Sequence, residues 1–354
     1  MAVNLTMPGG DSSGEKKFPS DYAHLKWQVT QAGLYEKKPL YYWIKIPLTI
    51  AAFGASIAVL FLTHILWIQL LNALFFAFCS AQIGLIMHDA GHMQIFKNPK
   101  NNNLLNLFVS DLLVALCYSW WVQKHNQHHS HPNFEDLDPD INFPFLAYSH
   151  AQALERRGIS RFIVKYQAFF LLPMFALVAP LLRWEGLQYL LKGRSKDTWL
   201  ELFMLFASVA IYFAILFTQL PLLVALAFIV VQQVSAGIYL GMIFAPNHKG
   251  MPVFEADAKV DFLRLQVLTA RNVKGNLIND FVYGGLNYQI EHHLFPNMPR
   301  LNLRLAQPIV QKFCKEHKID YHETGVFRSL VEIFEYMHEM GAPLRRPSKV
   351  LAKE

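Results

Sequence analysis

Residues 46–92 decide the fold, and they read IPLTIAAFGASIAVLFLTHILWIQLLNALFFAFCSAQIGLIMHDAGH. Most of this stretch consists of two apolar halves of about 20 residues each, the length that crosses roughly 30 Å of hydrocarbon. Trp67 and Gln69 mark the turn between the halves. The stretch ends in His88-Asp89-Ala90-Gly91-His92, so two predicted membrane crossings lead directly into a pair of histidines.

A second apolar pair occupies residues 200–244 and turns at 219–221. Neither 46–96 nor 197–248 contains a lysine or arginine. Because these residues stay mainly on the cytoplasmic side of a membrane, we expect both termini and the histidine motifs to be cytoplasmic. The sequence predicts an all-α integral membrane protein whose four crossings form two hairpins, at about 46–66, 68–87, 200–219 and 221–244.

The composition agrees with this topology. Of the 354 residues, 53% are hydrophobic and 16% are charged, whereas soluble domains carry about 25% charged residues. The three cysteines are too few and too far apart for a disulfide framework. The net charge of +6 indicates a cytosolic face on anionic lipid, because no basic run interleaves with aromatic residues as in nucleic-acid-binding proteins.

The predicted organisation has two parts. Residues 1–40 are interpreted as a polar, mobile cytosolic tail, and 41–354 as the membrane domain. Within that domain, 88–199 and 245–354 are expected to form a helical cytosolic cap that holds the metal site.

Two further apolar stretches, 104–121 and 162–182, compete with the four-crossing topology. If one or both crossed the membrane, at least one histidine motif would lie on the opposite face from the others. A single metal site needs all three motifs on one face, so we interpret both stretches as helices in the interface or over the bundle. A crossing remains the alternative.

The chemistry is carried by three compact motifs: His88 to His92, His125-Asn126-Gln127-His128-His129, and Gln289-Ile290-Glu291-His292-His293. Residues at i, i+3 and i+4 share one face of a helix, so the histidines of each motif point the same way. Seven clustered histidines, with His248 as an eighth candidate, exceed the needs of one ion and predict two. Zinc, copper and iron all accept imidazole, and iron is favoured because it suits oxidation of acyl chains by dioxygen.

Two carboxylates stand inside the motifs. Asp89 and Glu291 are predicted to hydrogen-bond the imidazoles and hold their tautomers. Direct metal binding by either carboxylate is the alternative.

In this order and with these hairpins, the motifs H-x-x-x-H, H-x-x-H-H and Q-x-x-H-H resemble those of the membrane fatty acid desaturases, over the chain from about residue 40 onward. Residues 284–296, GGLNYQIEHHLFP, are similar to the front-end branch and its bacterial acyl-CoA or acyl-lipid relatives, in which glutamine replaces the first histidine of the third motif. The resemblance implies a non-haem di-iron centre whose ligands are His88, His92, His125, His128, His129, His292 and His293. His248 matches the position of a further iron-binding histidine in this family.

The resemblance also implies an activity, the oxygen-dependent insertion of a cis double bond into an acyl chain carried by CoA or a lipid. The chain is expected in an apolar channel between crossings and cap, with Trp121 and Tyr288 in its lining. Trp121 lies one helical turn before His125 and is predicted to share that histidine's face. Gln289 either binds iron through its carboxamide oxygen or hydrogen-bonds a water that does.

Many front-end desaturases carry a fused cytochrome-b5-like domain marked by H-P-G-G. The corresponding stretch here is Met7-Pro8-Gly9-Gly10, without the haem-binding histidine, and no glycine-rich dinucleotide fingerprint follows a strand. We therefore expect a separate donor, a ferredoxin or cytochrome-type carrier with its reductase. The alternative functions are an acyl or sphingolipid hydroxylase and, from another class, a metal transporter. Transport is disfavoured because the predicted crossings contain almost no ionisable residues.

Overall fold

The computed structural model describes residues 18–345, and this part of the chain is largely helical. Its α-helices are α1 Asp21–Gln31, α2 Pro39–Leu62, α3 Leu66–Gly91, α4 Pro99–Asn106, α5 Tyr118–Ser130, α6 His150–Glu155, α7 Gly158–Lys165, α8 Gln167–Ala176, α9 Val178–Leu191, α10 Thr198–Gln219, α11 Leu222–His248, α12 Phe262–Leu268, α13 Leu277–Val282, α14 Gln289–Leu294, α15 Arg300–Glu316 and α16 Val326–Met340. A π-helix, Leu107–Leu113, follows α4, and a short 3-10 helix, Ala342–Leu344, follows α16. The strands β1 Asn272–Val273 and β2 Glu323–Thr324 pair in parallel, with Asn272 opposite Glu323.

Four helices, α2, α3, α10 and α11, are long and apolar enough to cross a membrane. They include most of each predicted crossing, but α3 and α11 continue past the predicted ends, to Gly91 and His248. A helix of 26 residues is about 39 Å long and exceeds the hydrocarbon thickness by about 9 Å. The extra turns carry the first histidine motif and His248 beyond the apolar stretch.

The centre of the helical bundle is the contact between α3 and α11. In its most apolar window, α3 is 67% buried, whereas the corresponding windows of α2, α10 and α11 are each 28% buried. Gly237 and Gly241 of α11 allow α8 to approach, since a Cβ atom at either position would lie 2.5 Å or less from an atom of Phe175. Small residues at helix contacts are the usual means of close packing in membranes.

The two apolar stretches that were the alternative membrane crossings, 104–121 and 162–182, each contain a sharp bend between two helices. The segment Pro99–Leu113 meets α5 at a bend of 112°, and α7 meets α8 at 106°. If each bent pair counted as one span, the described residues would hold up to six spans instead of four. Neither pair is one straight crossing.

The N-terminal region departs from the prediction. The tail assigned to 1–40 includes α1, and the polar-tail interpretation is wrong for residues 21–31. Leu25 and Val29, one helical turn apart, are fully buried and join a core with residues of α12, α14 and α15. Residues 1–17 lie outside the described part of the chain.

Candidate metal centre

The three histidine motifs and the end of α11 converge on one site. The first group, His88, His92, His125 and His292, contributes ring nitrogens that all lie within 4.8 Å of one another. The second group, His128, His248 and His293, meets the same criterion separately. The end of α3, one face of α5, the end of α11 and the short α14 therefore supply two neighbouring sets of imidazoles.

His129 lies between the two groups. Its Nε2 is 3.0 Å from Nε2 of His125, which belongs to the first group. Its ring also stacks on His293 of the second group, with 4.2 Å between ring centroids. All seven motif histidines and His248 thus lie in one continuous cluster.

The ring nitrogens fit bound metal ions. Within residues 18–345, several are buried without a hydrogen-bond partner: Nε2 of His88, His92 and His293, Nδ1 of His129, and both nitrogens of His292. Buried polar atoms are costly when unpaired, and metal coordination would satisfy them. The nearest pairs of nitrogens are 3.0 and 3.2 Å apart. Two imidazoles on one first-row ion, about 2.1 Å from it and at right angles, are separated by about 3 Å.

The protonation state of the histidines also suits coordination. Burial lowers the pKa of His92 well below the ordinary imidazole range, and the neighbouring His88 adds to the shift. Burial acts in the same direction on the pKa of His292 and of His293, again with help from nearby imidazoles. Neutral imidazole is the form that binds a metal.

Hydrogen bonds orient each ring of the second group. His128 Nδ1 lies 3.0 Å from both carboxylate oxygens of Asp138. His248 Nδ1 lies 2.8 Å from the Thr269 carbonyl oxygen, and His293 Nδ1 lies 2.8 Å from Gln266 Oε1. Each contact directs Nε2 of its ring toward the cluster, the arrangement that metal-binding histidines adopt in proteins.

The two carboxylates predicted to hold imidazoles have other partners. Asp89 accepts hydrogen bonds from Tyr42, at 2.9 Å, and forms a buried ion pair with Arg300, at 2.5 Å. Its distance to His88 Nδ1 is 3.8 Å, too long for a hydrogen bond. The other carboxylate, Glu291, lies one residue before His292.

Glu291 accepts hydrogen bonds from Asn272 Nδ2, at 2.6 Å, and from the Tyr321 hydroxyl, at 2.7 Å. Burial raises the pKa of Glu291 to about 7, against the effect of these two donors. Its side chain therefore links α14 to β1 and the β2 region. Within residues 18–345, Glu291 accepts no hydrogen bond from a histidine ring, so its predicted role is not what the geometry shows. Asp89 lies beside His88, 3.8 Å from its Nδ1, and its role in holding that ring stays a prediction.

Gln289 lies against the second group. Its Nε2 is 3.0 Å from His248 Nε2, and its Oε1 accepts a hydrogen bond from Asn247 Nδ2 at 3.0 Å. The carboxamide is therefore held at the edge of the site by a residue of α11.

A cavity of about 900 Å³ adjoins the cluster. Its walls combine His88, His125, His128, His248 and Gln289 with apolar residues of α5, α8, α9 and α11. Trp121 is among the lining residues and stacks on His125 with 4.4 Å between ring centroids, as its helical spacing predicted. Gly91 makes this position accessible, because a Cβ atom there would lie 2.4 Å from the indole ring.

Tyr288 is not part of this cavity. It is buried in the core formed with α1, α12 and α15, and its hydroxyl donates to Asp280 at 3.3 Å. The predicted channel role for Tyr288 is therefore wrong for this cavity. Because α14 begins at the next residue, the chain turns there and places Tyr288 and Gln289 on different sides.

Comparison with known proteins identifies the family. A profile described as fatty acid desaturase matches residues 65–325. The chain belongs to the fatty acid desaturase family. It is 29% identical over 335 residues to the Acyl-lipid (9-3)-desaturase of Physcomitrium patens, covering 90% of this chain and 62% of that protein. It is 30% identical over 339 residues to the Delta(6)-fatty-acid desaturase fat-3 of Caenorhabditis elegans, covering 90% and 74%. The Delta(8)-fatty-acid desaturase of Euglena gracilis is 28% identical over 331 residues, covering 90% and 78%.

The chain thus spans 62% of the length of the moss relative. The desaturase motifs all fall within the matched region. Three groups that contact the histidine rings were not predicted from the sequence: Asp138, Gln266 and the Thr269 carbonyl. The sequence does contain an indication for Asp138, because this residue lies in the acidic run 135–140 just after the second histidine motif. Gln266 and Thr269 had none, because only tertiary packing brings α12 to the histidines.

Proposed function

We propose that this protein is a front-end fatty acyl desaturase that inserts a cis double bond into an acyl chain carried by CoA or a lipid, with dioxygen as the oxidant. The observation that carries the proposal is the cavity of about 900 Å³, which is apolar along most of its wall and is lined by four of the clustered histidines. An acyl chain needs such an apolar enclosure, and desaturation needs two adjacent methylenes held beside the oxidising centre.

The metal would be two iron ions held by the eight clustered histidines, with Gln289 as a ninth candidate. When bound, iron supplies the reduction of dioxygen that makes hydrogen removal from a methylene possible. The protein's own residues position the substrate and exclude water. Trp121 stacks on His125 and lines the cavity beside the cluster, so it would give the reacting carbons an apolar wall.

We further propose that α2, α3, α10 and α11 cross the membrane as two hairpins, under a cytosolic cap that carries the site. Two contacts support this topology. The rings of His92 and His125 are 4.8 Å apart, so the chain between them leaves the cluster and returns to it on the same side. His248 at the end of α11 reaches the same cluster, which places the ends of α3 and α11 together.

Electrons are proposed to reach the site from a ferredoxin or cytochrome-type carrier with its reductase, docking on the cytosolic face. The support is membership of the fatty acid desaturase family, whose reaction uses dioxygen and an electron donor. Purified protein is expected to form product with carrier, reductase and NADPH, and none with NADPH alone. Turnover with NADPH alone would contradict the proposal.

The function is tested by expression in a host that lacks endogenous front-end desaturation, fed with candidate fatty acids. Gas chromatography and mass spectrometry of the fatty acid methyl esters should show a new double bond on the carboxyl side of an existing one. A His292→Ala variant, expressed to the same level, is the control and should give no product. Hydroxylated acyl chains in place of unsaturated ones would favour the hydroxylase alternative.

A further inference from the structure

The short helix α13 exposes large apolar side chains although it lies outside the four long helices. Leu277, Ile278 and Phe281 are 82%, 73% and 51% exposed. Phe327, at the start of α16, is 85% exposed, and its neighbour Val326 packs on the same small core as Val282. An exposed apolar patch of this kind marks a surface that meets another apolar phase or a partner.

Contacts with α3 and α11 show how deep this patch lies. The Phe281 ring is 6.0 Å from the ring of Phe78 in α3. The Val282 carbonyl accepts a hydrogen bond of 2.7 Å from the hydroxyl of Tyr239 in α11. The helix α13 therefore packs against the sides of both long helices and not on their ends.

Phe78 lies close to the midpoint of α3, 12 residues after Leu66 and 13 before Gly91. About 20 Å of helix separates it from the end with the histidines. Because α3 exceeds the hydrocarbon thickness by about 9 Å, Phe78 lies at least about 10 Å inside that layer even if the whole excess is at the histidine end. The Phe281 ring lies within 6.0 Å of the Phe78 ring. Its carbonyl accepts a hydrogen bond of 3.3 Å from Gln82, one turn nearer the histidine end, so Phe281 lies between the middle of α3 and that end.

The two polar side chains within α13, Asn279 and Asp280, both hydrogen-bond to the protein. Asp280 accepts hydrogen bonds from Asn287 Nδ2, at 2.9 Å, and from Tyr288. Asn279 donates to the Lys274 carbonyl at 2.8 Å. The outer face is left with the apolar side chains, the arrangement of a helix that lies in a lipid layer.

Lys45 of α2, one residue before the predicted crossing at 46–66, also contacts α13. Its Nζ donates to Gln82 Oε1 at 2.7 Å and lies 4.4 Å from the centroid of the Phe281 ring. The ammonium group is thus buried between an amide and an aromatic face, which shield it from the surroundings of α2. Phe281 covers a charge that hydrocarbon would otherwise meet.

We propose that α13 and Phe327 form a membrane anchor that inserts among the lipid acyl chains of the leaflet on the histidine side. The partner is phospholipid hydrocarbon, continuous with the lipid around α3 and α11. The anchor ties the chain that leads into α14 to a fixed depth beside the bundle. This inference rests on the proposed crossing of the bilayer by α3 and α11.

The test measures the surroundings of a nitroxide label at position 278 in protein reconstituted into phosphatidylcholine bilayers. Ile278→Cys is labelled, and its collision rates with dioxygen and with a water-soluble nickel chelate are compared. Ile211→Cys, at a position 54% exposed in α10, is the lipid reference, and Asp257→Cys, at an exposed loop position, is the water reference. The unsubstituted protein, whose Cys79, Cys117 and Cys314 are buried, measures background labelling.

We expect the ratio of dioxygen to nickel collisions at 278 to match that at 211 and to exceed that at 257 several-fold. A ratio like that at 257 would overturn the anchor, since the patch would then face water. Low collision rates with both reagents would also overturn it, because they mean that protein covers the patch. If Ile278→Cys does not fold, Leu277→Cys provides the same comparison.

The label at position 211 tests the proposed membrane crossing independently of the α13 anchor. A water-accessible label at 211 would overturn the crossing and, with it, the anchor. A lipid-exposed 211 with a water-exposed 278 would overturn the anchor alone and leave the proposed desaturase topology intact.

Discussion

The two groups of histidines use the same side chain but are held in place differently. In the first group, both ring nitrogens of His292 and Nε2 of His88 and His92 are buried without a hydrogen-bond partner in the described part of the chain. In the second group, Asp138, Gln266 and the Thr269 carbonyl each hold one ring. The difference shows that helix spacing and ring packing position the histidines of the first group. Hydrogen bonds from other segments of the chain orient those of the second group.

The largest effect is expected from removing a ring of the first group. His292→Ala should abolish product and lower bound iron, because no neighbouring hydrogen-bonding group can take its place. Product is measured by gas chromatography, and iron by elemental analysis of the purified protein. His131→Ala is the control, since His131 contacts Phe134 and belongs to neither group. Equal losses in both variants would mean that the effect is not specific to the site.

Removing a ring of the second group separates the two proposed ions. His128→Ala should abolish activity as well, but about one of the two irons should remain, because the first group keeps its own ligands. Elemental analysis of this variant beside the unsubstituted protein provides the count. One zinc and no iron in the unsubstituted protein would contradict the di-iron proposal.

Variants of Gln289 test whether activity requires a polar side chain at the edge of the second group. Gln289→Leu should lower activity about 100-fold, since leucine has a similar volume but cannot bind a metal, a water or His248. Gln289→His restores a third imidazole and should retain more activity than leucine. If leucine were as active as glutamine, the role of residue 289 would be packing alone.

Asp138 tests the hydrogen-bond support of the second group. Asp138→Asn should lower activity or iron affinity about 10-fold, because an amide orients His128 less well than a carboxylate. Asp140→Asn is the matched control, as its carboxylate is 3.7 Å from the same nitrogen and about half exposed. A larger loss of activity in Asp140→Asn than in Asp138→Asn would contradict the proposed role of Asp138 in orienting His128.

The smallest effect is expected at Glu291, although it lies between Gln289 and His292 in sequence. Glu291→Gln should change activity less than Asp138→Asn, because Glu291 contacts Asn272 and Tyr321 and not a histidine. The expected loss is in stability, about 1 kcal/mol for one weakened buried hydrogen bond. A fluorescence-based thermal unfolding curve measures that loss, and a larger drop in activity than in Asp138→Asn would assign Glu291 to the metal site.

Local periodicity accounts for what could be predicted about the fold. Four long apolar helices follow from the lengths of the apolar stretches, and the second turn lies at the predicted 219–221. The first turn was predicted at Trp67 and Gln69 but lies at 63–65, because α3 begins at Leu66 and includes both residues. The structure also places Trp121 on His125 as the spacing indicated. By contrast, α1 was interpreted as part of a tail because its apolar face is narrow and becomes buried only against α12, α14 and α15.

The sequence by itself determined which residues are able to bind metal and which stretches are able to lie in a membrane. Both properties depend on residue type and on spacings of a few residues along one helix. Only the tertiary structure decided that the histidines form two groups, that Asp89 pairs with Arg300 and Glu291 with Tyr321, and that α13 lies beside α3. The contacts of Asp89, Glu291 and α13 join residues that are between 30 and 211 positions apart, from Glu291–Tyr321 to Asp89–Arg300, and no local period encodes such distances.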